Sequence, residues 1–277
     1  MKKSTRSARI ARFHHQGELQ ANSQLTLSKA ASHHLVTVLR TRQGDTIEMF
    51  NGDGCNYRAI VIDTGQRSAG KCALLELQEA RPADTESPVR ISLLQGISRG
   101  DRMDTSIRQS VELGVNHVQP LYTRQAARAL DEKRTAKKLE HWQAILVSAC
   151  EQSGRAKLAT LASPVTLEQW LNELSSGENT HLPEHCYVLD PTATGSLVTH
   201  LHELPTDAAS VAHEASPGRR PDIGLLIGPE SGLDPDEIRM AVEAGLTPVT
   251  IGPRILRTET AGPACIGMVQ AVLGDLG

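Results

Sequence analysis

Two short apolar runs near the end of the chain, each stopped by a Gly-Pro pair, constrain the fold more than any other feature. The first reads Leu225-Leu226-Ile227-Gly228-Pro229-Glu230-Ser231-Gly232-Leu233. The second reads Val249-Thr250-Ile251-Gly252-Pro253-Arg254-Ile255-Leu256-Arg257-Thr258-Glu259-Thr260-Ala261. A continuous apolar run bounded by turn residues predicts a strand buried on both faces, as in a parallel sheet. Glycine followed by proline forces a turn at the strand's carboxyl end. Two such turns, at the carboxyl ends of neighbouring parallel strands, form the crevice in which open α/β sheets bind ligands.

The sequence before these runs alternates strand and helix from residue 89 onward. Val89–Gln95 predicts a strand, and Asp101 can cap a helix that carries Met103, Ile107 and Val111 on one face and stops at Gly114. His117–Tyr122 is a second strand, whose Pro120 suggests an edge or a strand end. Lys137–Ser153 is an amphipathic helix with Leu139, Trp142, Leu146, Ala149 and Cys150 on one face. Strands follow at Cys186–Asp190, Ile223–Ile227 and Pro248–Ile251. Asp234-Pro235-Asp236-Glu237 is a complete helix start: Asp as cap, Pro first, Glu third. A closing helix from Thr260 turns Ile266, Val269 and Leu273 inward. Residues 205–222 are aperiodic and read as a surface loop.

The first 84 residues have a different rhythm. A short helical pattern over Ser32–Arg40 places Leu35, Val38 and Leu39 together. Thr46–Phe50, the hairpin signal Asn51-Gly52-Asp53-Gly54, Tyr57–Ile62 and Cys72–Leu77 predict a small β-barrel. Ala80–Pro88 reads as a linker. The 277 residues therefore divide into a β-rich unit over 1–84 and an α/β unit over 85–277.

Hydrophobic residues make up 39% of the chain and aromatics 3%, so the cores are aliphatic. No apolar run is long enough to span a membrane, and no apolar stretch follows the basic N-terminus as in a secretory signal. The scattered cysteines 55, 72, 150, 186 and 265 argue for reduced thiols, a cytoplasmic location and no structural zinc; no metal site is expected. Net charge is −3, yet basic residues cluster. One group holds Lys2, Lys3, Arg6, Arg9 and Arg12, a second Arg99, Arg102 and Arg108, a third Arg124, Arg128, Lys133, Arg134, Lys137 and Lys138. Each alone reads as solvated surface; together they suggest local patches for phosphates.

Glycines in the first turn let backbone N–H and C=O groups come close to a ligand. An anionic ligand is disfavoured there, because Asp234 occupies the helix N–H groups and Glu230 would repel it. Neither a P-loop nor a dinucleotide fingerprint is present. The second turn carries Arg254, Arg257 and Glu259 into the last helix, where Thr258 or Thr260 can cap. Arginines at a crevice mouth can hold phosphate or a developing oxyanion.

The pair Leu-Ile-Gly-Pro-Glu-x-Gly-Leu and Ile-Gly-x-Arg-Ile-Leu-Arg-Thr-Glu-Thr-Ala resembles the bacterial 16S ribosomal RNA (uracil-N3)-methyltransferases of the SPOUT superfamily. The likeness extends to His34-Leu35 with Val38-Leu39-Arg40 and Gly44-Asp45, to Glu112-Leu113-Gly114-Val115, and to Trp142 with Gln152-Ser153-Gly154-Arg155. It implies a PUA-like or OB-like β-barrel, binding RNA, followed by a SPOUT α/β domain with a trefoil knot and a mostly parallel sheet. It implies S-adenosylmethionine as cofactor, held by Leu189, Ile227, Gly228, Pro229, Glu230, Gly232, Ile251, Gly252, Ile255, Leu256 and Arg257. It implies 16S ribosomal RNA of the small subunit as substrate, gripped by Arg9, Arg12, Arg40, Arg99, Arg102 and Arg155, and a homodimer with the site near its interface. Methyl transfer to uracil N3 needs loss of the N3 proton and stabilisation of charge on O2 or O4. Arg257 is the favoured electrostatic helper, with Arg254 a second choice and Glu259 a candidate base. Ser231 replaces the family's usual glycine, which a tight turn accepts only at negative φ. Two other readings are a SPOUT ribose 2′-O-methyltransferase and a non-catalytic RNA-binding or ribosome-assembly module. A plain α/β small-molecule enzyme leaves the N-terminal barrel and the basic clusters unexplained.

Overall fold

The computed structural model describes residues 10–65, 72–125, 131–176, 183–205 and 221–277, and its strands form two sheets. The chain divides into two units: Met1–Glu86 with Cys150–Leu158, and Ser87–Ala149 with Ala159–Gly277. The segment from 150 to 158 thus returns to the N-terminal unit, which a single boundary after residue 84 did not foresee. Arg9, Arg128 and most of the 205–222 loop lie outside the described residues.

The first unit contains β1 (Arg12–His14), β2 (Gln24–Thr26), α1 (Lys29–His33), β3 (Thr46–Phe50), β4 (Cys55–Asp63) and β5 (Leu74–Pro82). The sheet order is β1-β3-β4-β5-β2, with β1 parallel to β3 and the other pairs antiparallel. Alternation puts Ile47 and Met49, Ala59 and Val61, and Leu75 and Leu77 on one buried face. Two expectations fail here for local reasons. After α1 the chain continues as a π-helical turn over His34–Val38, in which Leu39 N donates to His34 O five residues back. The wider turn breaks the helical phase, so Leu35 is buried while Val38 and Leu39 are 59% and 43% exposed. The supposed linker begins inside β5, where Ala80, Arg81 and Pro82 pair with Tyr57, Asn56 and Cys55. Pro82 ends the strand, where its missing N–H is tolerated.

Two expected RNA contacts, Arg12 and Arg155, are structural instead. Arg12 Nε donates to Glu48 Oε2 at 2.7 Å, Nη2 to Asn56 Oδ1 at 2.7 Å and Nη1 to the Cys150 carbonyl at 2.8 Å. Arg155 Nη2 donates to Glu86 Oε2 at 2.8 Å, and its side chain is only 3% exposed. Buried guanidiniums whose donors are already spent hold the 150–158 segment in place rather than meet phosphates.

The second unit contains β6 (Arg90–Gly96), α2 (Arg102–Glu112), β7 (His117–Tyr122), α3 (Glu132–Ser153, its last turn belonging to the first unit), β8 (Thr160–Leu161) and β9 (Val165–Thr166). It continues through α4 (Leu167–Ser176), β10 (His185–Leu189), α5 (Leu197–Glu203), β11 (Asp222–Ile227), α6 (Pro235–Glu243), β12 (Thr247–Val249) and α7 (Thr258–Leu273). The ladders are parallel, in the order β12-β10-β11-β6-β7-β8, with β9 also on β7. β6 and β11 are buried along nearly their whole length, as parallel strands covered on both faces must be. Pro120 does not mark a sheet edge. It falls between the residues of β7 that pair with β8 and those that pair with β9, where the neighbouring ladder is interrupted. Asp101 stands at the start of α2 but makes no capping bond, whereas Asp234 and Glu237 form the full capping box of α6.

The two Gly-Pro turns do not follow adjacent strands. β10 lies between β11 and β12, so three strand ends define the crevice. β12 is the last strand of the sheet, beside β10, yet α7 packs on α2, α5, β6 and β11. The connection from 250 to 257 therefore crosses the carboxyl ends of the central strands. Cys186 and Cys265 are pushed up to about 12 by burial, with Asp222 contributing for Cys186, and pack as neutral apolar groups.

Candidate cofactor pocket

A cavity of about 890 Å³ opens at the carboxyl ends of β10, β11 and β12, within the second unit. That volume lies in the range of small-molecule sites, and its position is the crevice of an open parallel sheet. The first turn supplies Ile227, Gly228, Pro229, Glu230 and Gly232. The crossing segment supplies Ile251, Gly252, Pro253, Arg254, Ile255, Leu256 and Arg257, and α7 adds Thr258 and Glu259. Leu189 reaches the wall from the end of β10. The structure thus gathers the residues named from the sequence for the pocket and for the chemistry at one cavity.

The first turn is tightly built. Gly232 N donates to Pro229 O at 2.9 Å, and Gly232 takes φ +77, a conformation that glycine adopts without strain. Ser231 has no positive φ, so it fits where a glycine was expected, and its Oγ donates to the Gln125 carbonyl at 3.2 Å. Gly228 is required by space rather than by φ, since a Cβ there would lie 2.9 Å from Leu233 N and 3.0 Å from the Gly232 carbonyl carbon. Beyond the turn, Glu237 Oε1 accepts from Arg124 N at 2.8 Å and Oε2 from Asp234 N at 2.9 Å. The start of α6 is therefore fully hydrogen-bonded and offers no free anion site.

The second turn is more open. Thr250 is fixed by backbone bonds to Gly195, in the loop before α5, and to Leu197, the first residue of α5. After it, Gly252 takes φ +122, and Arg254, Ile255 and Arg257 are exposed, Ile255 by 85%. Among the described residues neither Arg254 nor Arg257 forms an ion pair. α7 begins at Thr258, not Thr260, and Arg257 occupies the cap position without a side-chain bond. Thr258 turns its Oγ1 inward to donate to the Gly228 carbonyl at 2.7 Å. Glu259 is mostly buried, and its Oε2 has no hydrogen-bond partner. The nearest cation, Arg102 Nε, stands 4.0 Å away, beyond hydrogen-bond reach. Arg102 also lies 4.0 Å from Glu230, whose carboxylate accepts from Arg99 N at 3.3 Å.

Sequence reasoning missed several wall residues. Asp190, Pro191 and Thr192 follow β10, and Asp190 Oδ1 accepts from Thr192 N and Oγ1, both at 2.8 Å. Leu233, Ile238 and Thr250 also line the cavity. Their signal was position alone: the carboxyl end of a parallel strand and the residues just beyond it. Of the expected RNA contacts, Arg40, Arg99 and Arg102 are exposed. Arg40 adopts φ +55, unusual for a long side chain. In the third basic cluster, Arg124 pairs with Asp236 at 3.0 Å and Arg134 with Asp131 at 3.3 Å, which removes part of its free charge.

Comparison with known proteins gives these features a context. The family model for an RNA methyltransferase domain matches residues 85–270, and that for an RNA methyltransferase PUA domain matches residues 27–69. The ribosomal RNA small subunit methyltransferase E of Buchnera aphidicola subsp. Schizaphis graminum is 32% identical, covering 97% of this chain and 98% of that protein. A putative methyltransferase from Legionella pneumophila, solved with bound S-adenosylmethionine, superposes with TM-score 0.81 at 33% identity over 97% of this chain and all of that one. The ribosomal RNA small subunit methyltransferase E of Neisseria gonorrhoeae, solved bound to S-adenosylmethionine, gives TM-score 0.78 at 31% identity, covering 97% of this chain and 100% of that one.

Proposed function

The chain belongs to the ribosomal RNA small subunit methyltransferase E family, and from that premise we propose that it methylates N3 of one uridine in 16S ribosomal RNA, using S-adenosylmethionine. The observation that carries this reading is the cavity where both Gly-Pro turns and the end of β10 meet. Its walls fit the cofactor chemically. They are largely backbone and aliphatic, suited to a planar base, and Glu230 and Asp190 add carboxylates compatible with a cationic ligand. Leu189, Ile227, Gly228, Pro229, Gly232, Ile251, Gly252, Ile255 and Leu256 would hold it. When bound, S-adenosylmethionine supplies an electrophilic methyl group.

The chain's own residues then handle the proton and the charge. Uracil N3 is protonated at neutral pH, so a base must take its proton as the nitrogen attacks. Glu259 is assigned that role, supported by its mostly buried carboxylate on the cavity wall, whose Oε2 accepts no hydrogen bond. Arg257, with Arg254 beside it, is assigned to stabilise the negative charge that moves onto O2 or O4, supported by exposed guanidiniums at the rim. The target base must leave its stack to enter the cavity. Arg40, Arg99 and Arg102 are the remaining described candidates for gripping the RNA backbone. The homodimer rests on the family resemblance, and sedimentation of the purified protein tests it. No helix among the described residues is long and apolar enough to cross a membrane.

The deciding experiment offers the protein labelled cofactor with naked 16S RNA and with assembled small subunits, then digests the product to nucleosides. A 3-methyluridine mapped to one position is expected. A 2′-O-methylated nucleoside would transfer the assignment to ribose chemistry, and absence of cofactor binding in calorimetry would leave a non-catalytic RNA-binding module.

A further inference from the structure

One fully buried polar side chain is connected to both turns without lining the cavity. Gln95, near the end of β6, is 0% exposed. Its Nε2 donates to Thr258 Oγ1 at 3.0 Å and to the carbonyls of Gly96 at 3.1 Å and Gly228 at 3.4 Å. Its Oε1 accepts from Ser106 Oγ at 2.9 Å, on α2. Thr258 Oγ1 closes the triangle by donating to Gly228 O. A buried amide satisfied at both ends is fixed in orientation, because rotating it would turn Oε1 onto the Gly96 and Gly228 carbonyls, acceptor facing acceptor.

The glycines around this amide are where its neighbours come closest. A Cβ on Gly96 would meet Pro229 Cδ at 2.6 Å and Pro229 N at 2.7 Å, so β6 lies directly under the first turn. A Cβ on Gly262 of α7 would stand 3.3 Å from Leu93 Cδ1 and 3.4 Å from Gln95 Oε1, so the helix also approaches closely. Gln95 thus sits where β6, the first turn and the start of α7 converge. A leucine or methionine would fill the space but leave Ser106 Oγ without its acceptor.

We propose that Gln95 is a positioning residue for cofactor binding: it clamps the Gly228 turn to the start of α7 and thereby holds the two walls of the pocket at their working separation. It acts through Gly228 and Thr258. Because Glu259 follows Thr258 directly, the same clamp fixes where the candidate base sits. The inference rests on the cofactor reading above, and its test separates the two.

Full-length protein and its Gln95→Met variant are titrated with S-adenosylmethionine by calorimetry, and amide exchange is followed without cofactor. The variant is expected to bind at least about tenfold more weakly, with faster exchange in residues 228–233 and in the first turn of α7, while β7 amides keep their protection. Ser106→Ala, which frees only the far end of the amide, is expected to lose about threefold. Affinity for 16S RNA without cofactor stays within about twofold for both. Wild-type affinity for the cofactor together with unchanged exchange at 228–233 would overturn the clamp. Uniformly faster exchange across the whole second unit would also overturn it, since that marks a purely structural residue. If Gln95→Met does not fold, Ser106→Ala read by the same two measurements decides. If the wild-type protein gives no cofactor heat, the cofactor reading fails, and exchange at 228–233 still reports whether the two walls are clamped.

Discussion

The two Gly-Pro turns look alike in sequence and are built in opposite ways. The first is held from below by Gln95, from the side by Thr258 Oγ1 and across its own width by the Gly232–Pro229 bond. Pro229 within it is buried. The second is fixed at its two ends, through Thr250 and through Thr258 at the start of α7, and between them presents Arg254, Ile255 and Arg257 to solvent. One turn is a template whose shape the protein determines in advance. The other is a charged rim whose side chains keep their freedom until something binds. Template walls suit a small cofactor of constant shape, because pre-ordering lowers the entropy lost on binding. A free rim suits a large polyanion and a charge that exists only during reaction.

This division of labour can be broken from either side. The largest effect is expected from Glu259→Gln, which keeps shape and removes the proton acceptor. Turnover should fall by about 10²–10⁴, with cofactor affinity nearly unchanged, in single-turnover assays at saturating cofactor. Turnover within threefold of wild type would remove Glu259 from proton transfer. Arg257→Ala should lower turnover by about 10²–10³ and again spare cofactor binding. If calorimetry instead found cofactor affinity lost, the rim would be part of the template and the contrast would collapse. Gly228→Ala should do the reverse. The new Cβ would push on Gly232 and on the Leu233 amide, which must give way by several tenths of an ångström, and cofactor affinity should fall by about tenfold or more. Overpacking there is expected to cost about 1–3 kcal/mol of stability as well, read by denaturant unfolding.

What the sequence could say about these two turns followed from range. The first turn and its helix start are local: Gly228 through Glu237 carry their own turn glycines, cap, proline and reciprocal carboxylate, and all are legible in ten consecutive residues. The wall supplied by Asp190 and Thr192 was not legible, because inserting β10 between β11 and β12 is a matter of strand order, which no local pattern encodes. Arg12 and Arg155 were misread for the same reason. Their partners Glu48 and Glu86 lie 36 and 69 residues away, so a basic residue that is neutralised in the interior looks the same in sequence as one facing a phosphate. Gln95 read simply as the end of a strand, and only the meeting of β6 with Gly228 and Thr258 gives it a role. By contrast, α4 was there to be read. Leu167, Trp170 and Leu171 are spaced as one helical face and all three are buried.

The smallest effects probe where the template ends. Ser231 is the turn residue at which this chain departs from glycine, and its Oγ bond to the Gln125 carbonyl ties the turn's outer edge to the strand-end loop after β7. Ser231→Ala removes that bond but keeps the negative φ, so the turn itself should persist. The bond is exposed, which limits its net worth to about 0.5 kcal/mol, and cofactor affinity should change by less than about threefold. Ile255→Ala should change stability even less, within about 0.5 kcal/mol, because a side chain 85% exposed loses almost no buried area. The two variants sharpen the contrast when read together by thermal unfolding and calorimetry. A large loss of cofactor affinity in Ser231→Ala would extend the rigid template outward to Gln125. A loss in Ile255→Ala would support the place of this exposed isoleucine among the residues that hold the cofactor, whereas wild-type affinity would remove it from them and leave the rim to RNA.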